Sequence, residues 1–514
     1  SDREDGLVTL KWVCNQFWYN GKIGMWGASY IGLTQWAIAF ENDGMLQCIN
    51  PSLTTYHNLW NFRGGLIINE LNASIAAILL NTCGQYTVNP DFNAIDKIQF
   101  CKRMVTDPTY QMFNEPMESL RYQKVPRLRD FKGMTLGEKE MYLLERTGMI
   151  LDFANHEFDT FYKLVYRILK KYDINTVAKY MPGNLDMDSA AQINTPIYMV
   201  GGWMDLFCEH LLKDYMEIAE TAPLELKQNI KMIMGPWAHG AFPFPGVPYY
   251  KMLDFARAIL PIPYYDYILK DKDTAWKNQA PVRIYVMGRN VWRDEQEWPL
   301  SRAIPQKWFL HSGGRANTRS GNGKLSIIEP DDEPADEYDF DPLDPVMTVG
   351  GRNLFIQKRS RSQHHPEMRK DVLVYTSDPL PRGVEVTGKV VMTLYASSSA
   401  IDTDFMAKLC DVDLKGKSIN VLDMGVRARF RTGHPQPLVP GEIFPFEIEL
   451  GHTSMYFAKG HRIRLDITSS NFPRFDVNSN LGGEQNEKGY AVAHQQVHHT
   501  TSYASELVLP VIPD

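Results

Sequence analysis

Three polar residues that lie far apart in the chain, Ser29, Asp205 and His239, have the types and order of a catalytic triad. Ser29 ends a Gly-Ala-Ser sequence between a short predicted strand and an apolar predicted helix, which is the layout of a nucleophile elbow. Small neighbours permit the sharp turn, and the amino end of the helix favours the anion that develops on an attacked carbonyl group. A tight turn with an N-capping serine fits the same sequence equally well, because the next glycine is Gly32 rather than residue 31.

Asp205 and His239 each follow a predicted buried strand. A serine hydroxyl becomes a nucleophile only when a general base removes its proton and an acid orients that base. Asp205 comes after the predicted strand 196–200 and His239 after 230–234, at the carboxyl ends where open α/β sheets bind their ligands. A turn-forming aspartate and a surface histidine explain each residue alone, but the order serine, acid, histidine favours a serine hydrolase.

Four aromatic residues are close in sequence to the candidate triad: Tyr30, Trp203, Phe207 and Trp237. Aromatic side chains line acyl pockets, but they also fill hydrophobic cores, and the sequence leaves both alternatives open for each of them. We take Trp203, Phe207 and Trp237 as candidate residues of the substrate pocket.

Two groups of histidines and one pair of aspartates could suggest a metal site. The first histidines are adjacent and would point to opposite faces of a strand, and the second group lacks an accompanying glutamate or cysteine pattern. The aspartate pair lacks the glycine and the distal glutamate of a calcium-binding loop. The sequence therefore predicts neither a metal nor a cofactor. The histidine groups are His364 with His365, and His494 with His498 and His499; the pair is Asp402 and Asp404.

The pattern of predicted elements divides the chain into three parts. Residues 1–55 and 190–272 alternate strands with helices, which indicates one mostly parallel sheet covered on both faces. Residues 56–189 are rich in Met, Leu, Lys and aromatic residues, which favours a helical insertion between two strands of that sheet. From 281 to 514 short segments alternate with period two between turn residues, which predicts a β-sandwich or jelly roll.

Composition excludes several classes of protein. The 514 residues are 44% hydrophobic and 22% charged, which is typical of a folded protein. The net charge is −7 and there is no basic block, so we expect no nucleic-acid partner. The longest apolar stretch, 75–80, is far shorter than the roughly 20 residues of a membrane span, so we expect no membrane partner. The amino terminus shows no signal peptide; the compartment is left open, with the cytoplasm favoured, and a homo-oligomer is left open too.

Three strings around the candidate triad resemble the CocE/NonD hydrolases: residues 20–32 (NGKIGMWGASYIG), 201–205 (GGWMD) and 235–240 (GPWAHG). That family includes cocaine-esterase-like enzymes, glutaryl acylases, α-amino-acid ester hydrolases and the related X-Pro dipeptidyl-peptidases. Carboxy-terminal strings at 281–288 and 460–465 are similar to the family as well.

The resemblance implies an α/β-hydrolase core with a helical cap and a carboxy-terminal jelly-roll domain. It implies Ser29 as the nucleophile, Asp205 as the acid and His239 as the general base, with the backbone N–H of Tyr30 as one oxyanion donor. Members of the family carry a further segment before this point, with the first strands of the sheet and a tyrosine that is the second oxyanion donor. We therefore expect an N-terminally truncated catalytic domain, with about four parallel strands and one exposed flank.

The function favoured by these observations is hydrolysis of a small acyl ester or amide through an acyl-enzyme intermediate. X-Pro dipeptidyl-peptidase and α-amino-acid ester hydrolase activities are alternatives, and both need acidic side chains that bind a free ammonium group. A different alternative is a catalytically silent binding protein or fragment that uses the jelly roll. Candidate acidic residues of the cap are Glu70, Glu115, Asp159 and Asp186.

Overall fold

The structure is a computed structural model that describes residues 2–57, 192–240, 243–248, 252–354, 359–472, 474–482 and 489–513. The described residues form a mostly parallel sheet with helices and a larger, mostly antiparallel sheet. The predicted cap, 56–189, lies outside the described residues except for its first two positions, and so do its four candidate acidic residues.

The first sheet has six strands that follow each other in chain order. β1 to β5 are parallel, and β6 runs antiparallel to β5. Every residue of β2, β3 and β4 is buried, as expected for parallel strands that are covered on both faces. The strands are β1 (Gly24–Ala28), β2 (Cys48–Ser52), β3 (Ile197–Met204), β4 (Ile230–Ala238), β5 (Val282–Val286) and β6 (Val291–Glu295).

Helices cover both faces of this sheet, and alternate residues of β3 enter two separate cores. Met199 packs in the core that contains Trp36 and Leu211, whereas the neighbouring Tyr198 faces Tyr264, with 5.8 Å between the ring centroids. This alternation confirms the predicted α/β arrangement. The helices are α1 (Asp2–Cys14), α2 (Tyr30–Ala39), α3 (Cys208–Thr221), α4 (Leu224–Lys227), α5 (Met252–Ile259) and α6 (Ile262–Lys270), with 3₁₀ turns at Ala275–Asn278, Pro366–Met368 and Ala428–Phe430.

Strands β5 and β6 belong to the first sheet, although they follow residue 281, where the predicted jelly-roll range begins. The period-two pattern of Val282 and Ile284 predicts a strand, which the sequence groups with the carboxy-terminal strands. In the structure Met232 of β4 pairs with Val282, so the first sheet has five parallel strands rather than four. The pattern of one strand indicates which side chains are buried, but it does not indicate which strand is the neighbour.

The second sheet has 12 strands, and its longest strand, β11, pairs with β14, β16 and β18. Phe405 and Phe446 lie on strands that do not pair with each other, yet their ring centroids are 4.8 Å apart. The sheet therefore folds over itself into two packed layers, as the jelly-roll prediction requires. The strands are β7 (Ile304–His311), β8 (Lys324–Ser326), β9 (Asp336–Phe340), β10 (Leu373–Thr376), β11 (Val384–Ser398), β12 (Asp404–Val412), β13 (Ser418–Arg427), β14 (Phe444–Phe457), β15 (Arg462–Thr468), β16 (Ala493–Thr500), β17 (Tyr503–Ala504) and β18 (Glu506–Ile512).

In the part of the chain that the structure describes, no helix is long and apolar enough to cross a lipid bilayer.

Candidate active site

Ser29 occupies the turn between β1 and α2. Its backbone has φ 60° and ψ −127°, a conformation that residues other than glycine rarely adopt. Its backbone N–H donates a hydrogen bond to the Ser52 carbonyl at 2.9 Å, which anchors the turn to the end of β2. The turn also needs Gly27, because a Cβ atom there would lie 2.3 Å from the Ile31 side chain. Strain of this kind collects at functional sites, where the surrounding structure enforces it. The turn has the backbone geometry and the small neighbouring residues of a nucleophile elbow.

The structure brings together the three residues of the predicted triad. His239 Nε2 lies 3.0 Å from Ser29 Oγ, and His239 Nδ1 lies 2.7 Å from Asp205 Oδ2. Asp205 is 1% exposed, and its other oxygen, Oδ1, accepts a hydrogen bond from the Phe207 N–H at 2.7 Å. With Nδ1–H donating to the carboxylate, Nε2 is left to accept the serine proton, which is the tautomer that a general base requires.

Parallel pairing explains why residues so distant in sequence meet. Ser29 follows β1, Asp205 follows β3 and His239 follows β4, so all three lie at the carboxyl edge of one sheet. β3 and β4 pair up to Met204 and Ala238, directly before Asp205 and His239, and their register shifts after Gly202. The irregularity therefore lies directly before Asp205 and His239, and such irregularities are common next to functional sites.

Gly202 allows β3 to approach β4 closely at this point. A Cβ atom on Gly202 would lie 2.3 Å from the Trp237 carbonyl oxygen, and a backbone atom within a sheet cannot move aside. We expect Gly202→Ala to lower the free energy of unfolding by about 3 kcal/mol, the upper part of the usual range for overpacking. It should also lower activity, because it displaces the strand that precedes Asp205.

Gly201→Ala is the matched control for this prediction. Its Cβ atom would meet the Met234 sulfur at 2.4 Å, and the end of a methionine side chain can change rotamer. We expect a loss of about 1 kcal/mol. Urea unfolding of both variants measures the difference, and equal losses would contradict the role of the backbone contact.

Two of the candidate pocket residues, Trp203 and Trp237, are buried in the structure. Trp203 is 0% exposed and Trp237 is 1% exposed, so neither faces open space beside Ser29. Trp203 donates from Nε1 to the Tyr285 carbonyl at 2.8 Å, and Trp237 packs edge-on against Phe255 with 5.1 Å between centroids. Both fill cores, because large aromatic area next to a buried strand is needed for packing.

Phe207 and Tyr30 do lie beside the triad. The Phe207 ring is 5.4 Å from the His239 ring, centroid to centroid, and shields one side of the imidazole. Tyr30 is the first residue of α2 and is 59% exposed. Its backbone N–H is therefore at the amino end of a helix, next to Ser29, a position that favours a negative charge.

Among the described residues, the side chains closest to a metal-ligand arrangement are Glu367, Cys410 and Asp466. Burial raises the pKa of Asp466 to about 8 and raises that of Cys410 well above its usual range. Protonated groups are poor metal ligands, and Glu367 Oε2 already accepts a hydrogen bond from Arg464 Nη1 at 2.5 Å. The cluster fits a buried ion network better than a metal centre.

Sequence reasoning missed the residues that hold the Asp205 loop from the other domain. The Arg352 guanidinium and His452 both contact Glu209, which comes four residues after Asp205. A signal was present, since Arg352 follows two glycines and His452 follows one, but glycine next to a polar residue is also typical of surface turns.

Comparison with known proteins finds two family models. The model described as X-Pro dipeptidyl-peptidase (S15 family) matches residues 1–133, and the X-Pro dipeptidyl-peptidase C-terminal non-catalytic domain matches residues 274–508. A cocaine esterase from Rhodococcus sp. is 30% identical over 532 residues, which cover 99% of this chain and 84% of that protein.

Two solved structures share the fold. An aminopeptidase from the marine sediment archaeon Thaumarchaeota archaeon superposes with a TM-score of 0.69 at 22% identity, covering 100% of this chain and 80% of that one. An α-amino-acid ester hydrolase superposes with a TM-score of 0.66 at 21% identity, covering 99% of this chain and 80% of that one.

Proposed function

Because this chain belongs to the CocE/NonD family of serine hydrolases, we propose that Ser29, His239 and Asp205 hydrolyse a small acyl ester or amide. The observation that supports the proposal most directly is the chain of two contacts, 3.0 Å from Ser29 Oγ to His239 Nε2 and 2.7 Å from His239 Nδ1 to Asp205. The first distance is short enough for Nε2 to take the serine proton, and the second is short enough for the carboxylate to accept a hydrogen bond from Nδ1–H.

The proposed reaction has two halves. In the first, Ser29 Oγ attacks the carbonyl carbon while His239 Nε2 takes the hydroxyl proton, and the Asp205 carboxylate stabilises the imidazolium. The Tyr30 N–H donates to the oxyanion. When the tetrahedral species collapses, the proton on Nε2 passes to the leaving alcohol or amine and Ser29 keeps the acyl group. In the second half His239 removes a proton from water, the hydroxide attacks the acyl group, and the acid leaves as Ser29 regains its proton.

The division into domains remains part of the proposal. Residues 1–55 and 190–272 would form the catalytic domain, 56–189 a helical cap and 281–514 the jelly-roll domain, whose first two strands, β5 and β6, extend the first sheet. Among the described candidate pocket residues, Phe207 lies beside His239, with 5.4 Å between the ring centroids. The expected partner is then a small molecule, with no role for nucleic acid or a membrane.

We expect a fluorophosphonate probe to label this protein at Ser29, because the probe reacts with a serine that a base has activated. Peptide mapping of the labelled chain identifies the modified residue. Labelling at a different serine, or no labelling of the folded protein, would contradict the proposal.

The substrate class is tested with three chromogenic or titratable compounds: p-nitrophenyl acetate, glycyl-prolyl-p-nitroanilide and phenylglycine methyl ester. We expect the highest kcat/KM with p-nitrophenyl acetate, which needs an apolar slot and no ammonium site. Faster cleavage of the prolyl anilide would assign the chain to the dipeptidyl-peptidase alternative, and faster cleavage of the amino-acid ester to the α-amino-acid ester hydrolase alternative.

A further inference from the structure

The side chain of Arg352 reaches from the carboxy-terminal β domain to the loop that carries Asp205. Its Nε donates to the Trp203 carbonyl at 2.9 Å, and its Nη1 donates to Glu209 Oε1 at 2.5 Å. The remaining nitrogen, Nη2, donates to the His452 carbonyl. Every nitrogen of this guanidinium, which is 6% exposed, therefore donates a hydrogen bond, and two of the three donate to residues on either side of Asp205.

The two residues that Arg352 binds in the catalytic domain flank Asp205. Trp203 comes two residues before it at the end of β3, and Glu209 comes four residues after it in the first turn of α3. Between them, the loop holds the carboxylate through the Phe207 N–H. Because one rigid, planar group ties both ends of a short loop, displacement of that group would displace the Asp205 carboxylate.

His452 completes the contact on the other side of Glu209. Its backbone N–H donates to Glu209 Oε1 at 2.6 Å, and its Nδ1 lies 2.7 Å from Glu209 Oε2. Gly451 makes room, since a Cβ atom there would lie 2.5 Å from Glu209 Oε1 and 2.9 Å from Arg352 Nη1. We call Glu209, Arg352, Gly451 and His452 the interdomain clamp.

Glu209 stays ionised within the clamp. Burial raises the pKa of Glu209, but the charges of His452 and Arg352, with the hydrogen bonds from His452, outweigh it and hold the pKa well below its usual range. The other titratable groups that act on Arg352 are Cys208 and Asp423. Asp423 has its own cation, because it forms an ion pair with Arg474 at 2.5 Å.

We propose that Arg352, in the β domain, is a positioning residue that holds the Asp205 loop in place for catalysis by His239. This inference rests on the proposed function. The Asp205 carboxylate orients His239 only while it stays within hydrogen-bonding distance of Nδ1, and an error of about 1 Å in the position of such a group can cost roughly 100-fold in rate. The β domain therefore takes part in organising the site, as well as packing on it.

The test uses a double variant, Arg352→Met with Glu209→Gln, which removes both charges and so avoids an unpaired buried carboxylate. The matched control is Arg427→Met with Asp404→Asn, another buried arginine–carboxylate pair of the β domain, whose described ion pairs are with Asp404 and Asp476 rather than the Asp205 loop. Arg352→Lys keeps the charge but loses the planar, two-sided contact.

For the double variant we expect kcat with p-nitrophenyl acetate to fall by roughly 10- to 100-fold with little change in KM. The acid limb of the kcat/KM profile should move to lower pH, because an imidazolium without a fixed carboxylate gives up its proton more easily. Titration of the His239 imidazole by NMR, assigned by its loss in His239→Gln, should shift the same way. Arg352→Lys should give an intermediate shift, and the control should lose stability without either shift.

The inference is wrong if the folded double variant keeps the parent kcat and the parent acid limb, or if the control shifts both by as much. If the double variant does not fold, Arg352→Lys is judged by the same criteria. If the parent protein neither turns over esters nor reacts with the probe at Ser29, the proposed function fails instead. The NMR titration of His239 then still decides whether Arg352 positions Asp205.

Discussion

Ser29→Ala should lower kcat for p-nitrophenyl acetate by roughly 10⁴- to 10⁶-fold, the loss seen when a triad serine is removed from a site that keeps its oxyanion donors. The substitution removes the oxygen atom that attacks the carbonyl. It leaves the backbone strain at residue 29 unchanged, because alanine and serine are similarly disfavoured at φ 60°. The variant should therefore fold with nearly parental stability. Its thermal unfolding temperature and its kcat, measured together, separate lost chemistry from lost structure.

Ser52→Ala is the control for Ser29→Ala. Ser52 pairs with Ala28 in the sheet, next to the nucleophile, and its buried hydroxyl makes no hydrogen bond within the described residues. Its carbonyl, which anchors the Ser29 N–H, is retained in the variant. We expect parental kcat and undiminished labelling by the fluorophosphonate. Loss of labelling in this variant, with labelling kept in Ser29→Ala, would show that the wrong serine was chosen.

The triad could be found in the sequence because local features mark each of its residues. Small residues before Ser29 permit a strained turn, and glycine-containing ends of buried strands precede Asp205 and His239. Strand order then follows from the rule that chain-adjacent parallel strands tend to be neighbours, which the order β1 to β5 obeys. Each of these signals comes from a few consecutive residues, so one sequence is enough to find them.

The aromatic residues show what a local signal cannot resolve. Trp203 and Phe207 are four residues apart and have similar apolar surfaces, yet Trp203 is buried against Trp298 and Phe207 shields His239. The difference arises from residues far along the chain: the Tyr285 carbonyl on β5 accepts the Trp203 N–H, and Trp298 packs against the Trp203 ring. Hydrophobicity predicts that a side chain is covered, but the covering element can lie anywhere in the chain.

The interdomain clamp could not be predicted from the sequence, for the same reason. Arg352 is 143 residues from Glu209 in the sequence, and His452 is 243 residues from it. A charged residue in a glycine-containing segment is typical of solvent-exposed turns. The role of Arg352 can be inferred only from the three-dimensional structure. There the guanidinium is buried, and a buried guanidinium needs hydrogen-bond acceptors for its donors.

Asp205→Asn should lower kcat by roughly 10⁴-fold while leaving the fold and KM close to those of the parent. The amide has the shape of the carboxylate, but its N–H₂ group can face His239 Nδ1, where the carboxylate oxygen now lies at 2.7 Å. Nδ1 would then accept a hydrogen bond and Nε2 would carry the proton, so the ring could no longer take a proton from Ser29 Oγ. The imidazolium of the transition state would also lose its counter-charge.

Asp214→Asn tests whether this loss is specific to the charge at residue 205. Asp214 lies on α3, is 0% exposed, and accepts hydrogen bonds from Thr55 Oγ1 at 2.9 Å and the Tyr56 N–H at 3.2 Å. Burial raises the pKa of Asp214 well above its usual range, despite those hydrogen bonds, so a neutral amide replaces a group that is readily protonated. We expect reduced stability with kcat close to the parent. If Asp214→Asn lowered kcat as much as Asp205→Asn does, the loss would not be specific to the carboxylate that contacts His239. The assignment of Asp205 as the acid of the triad would then be contradicted.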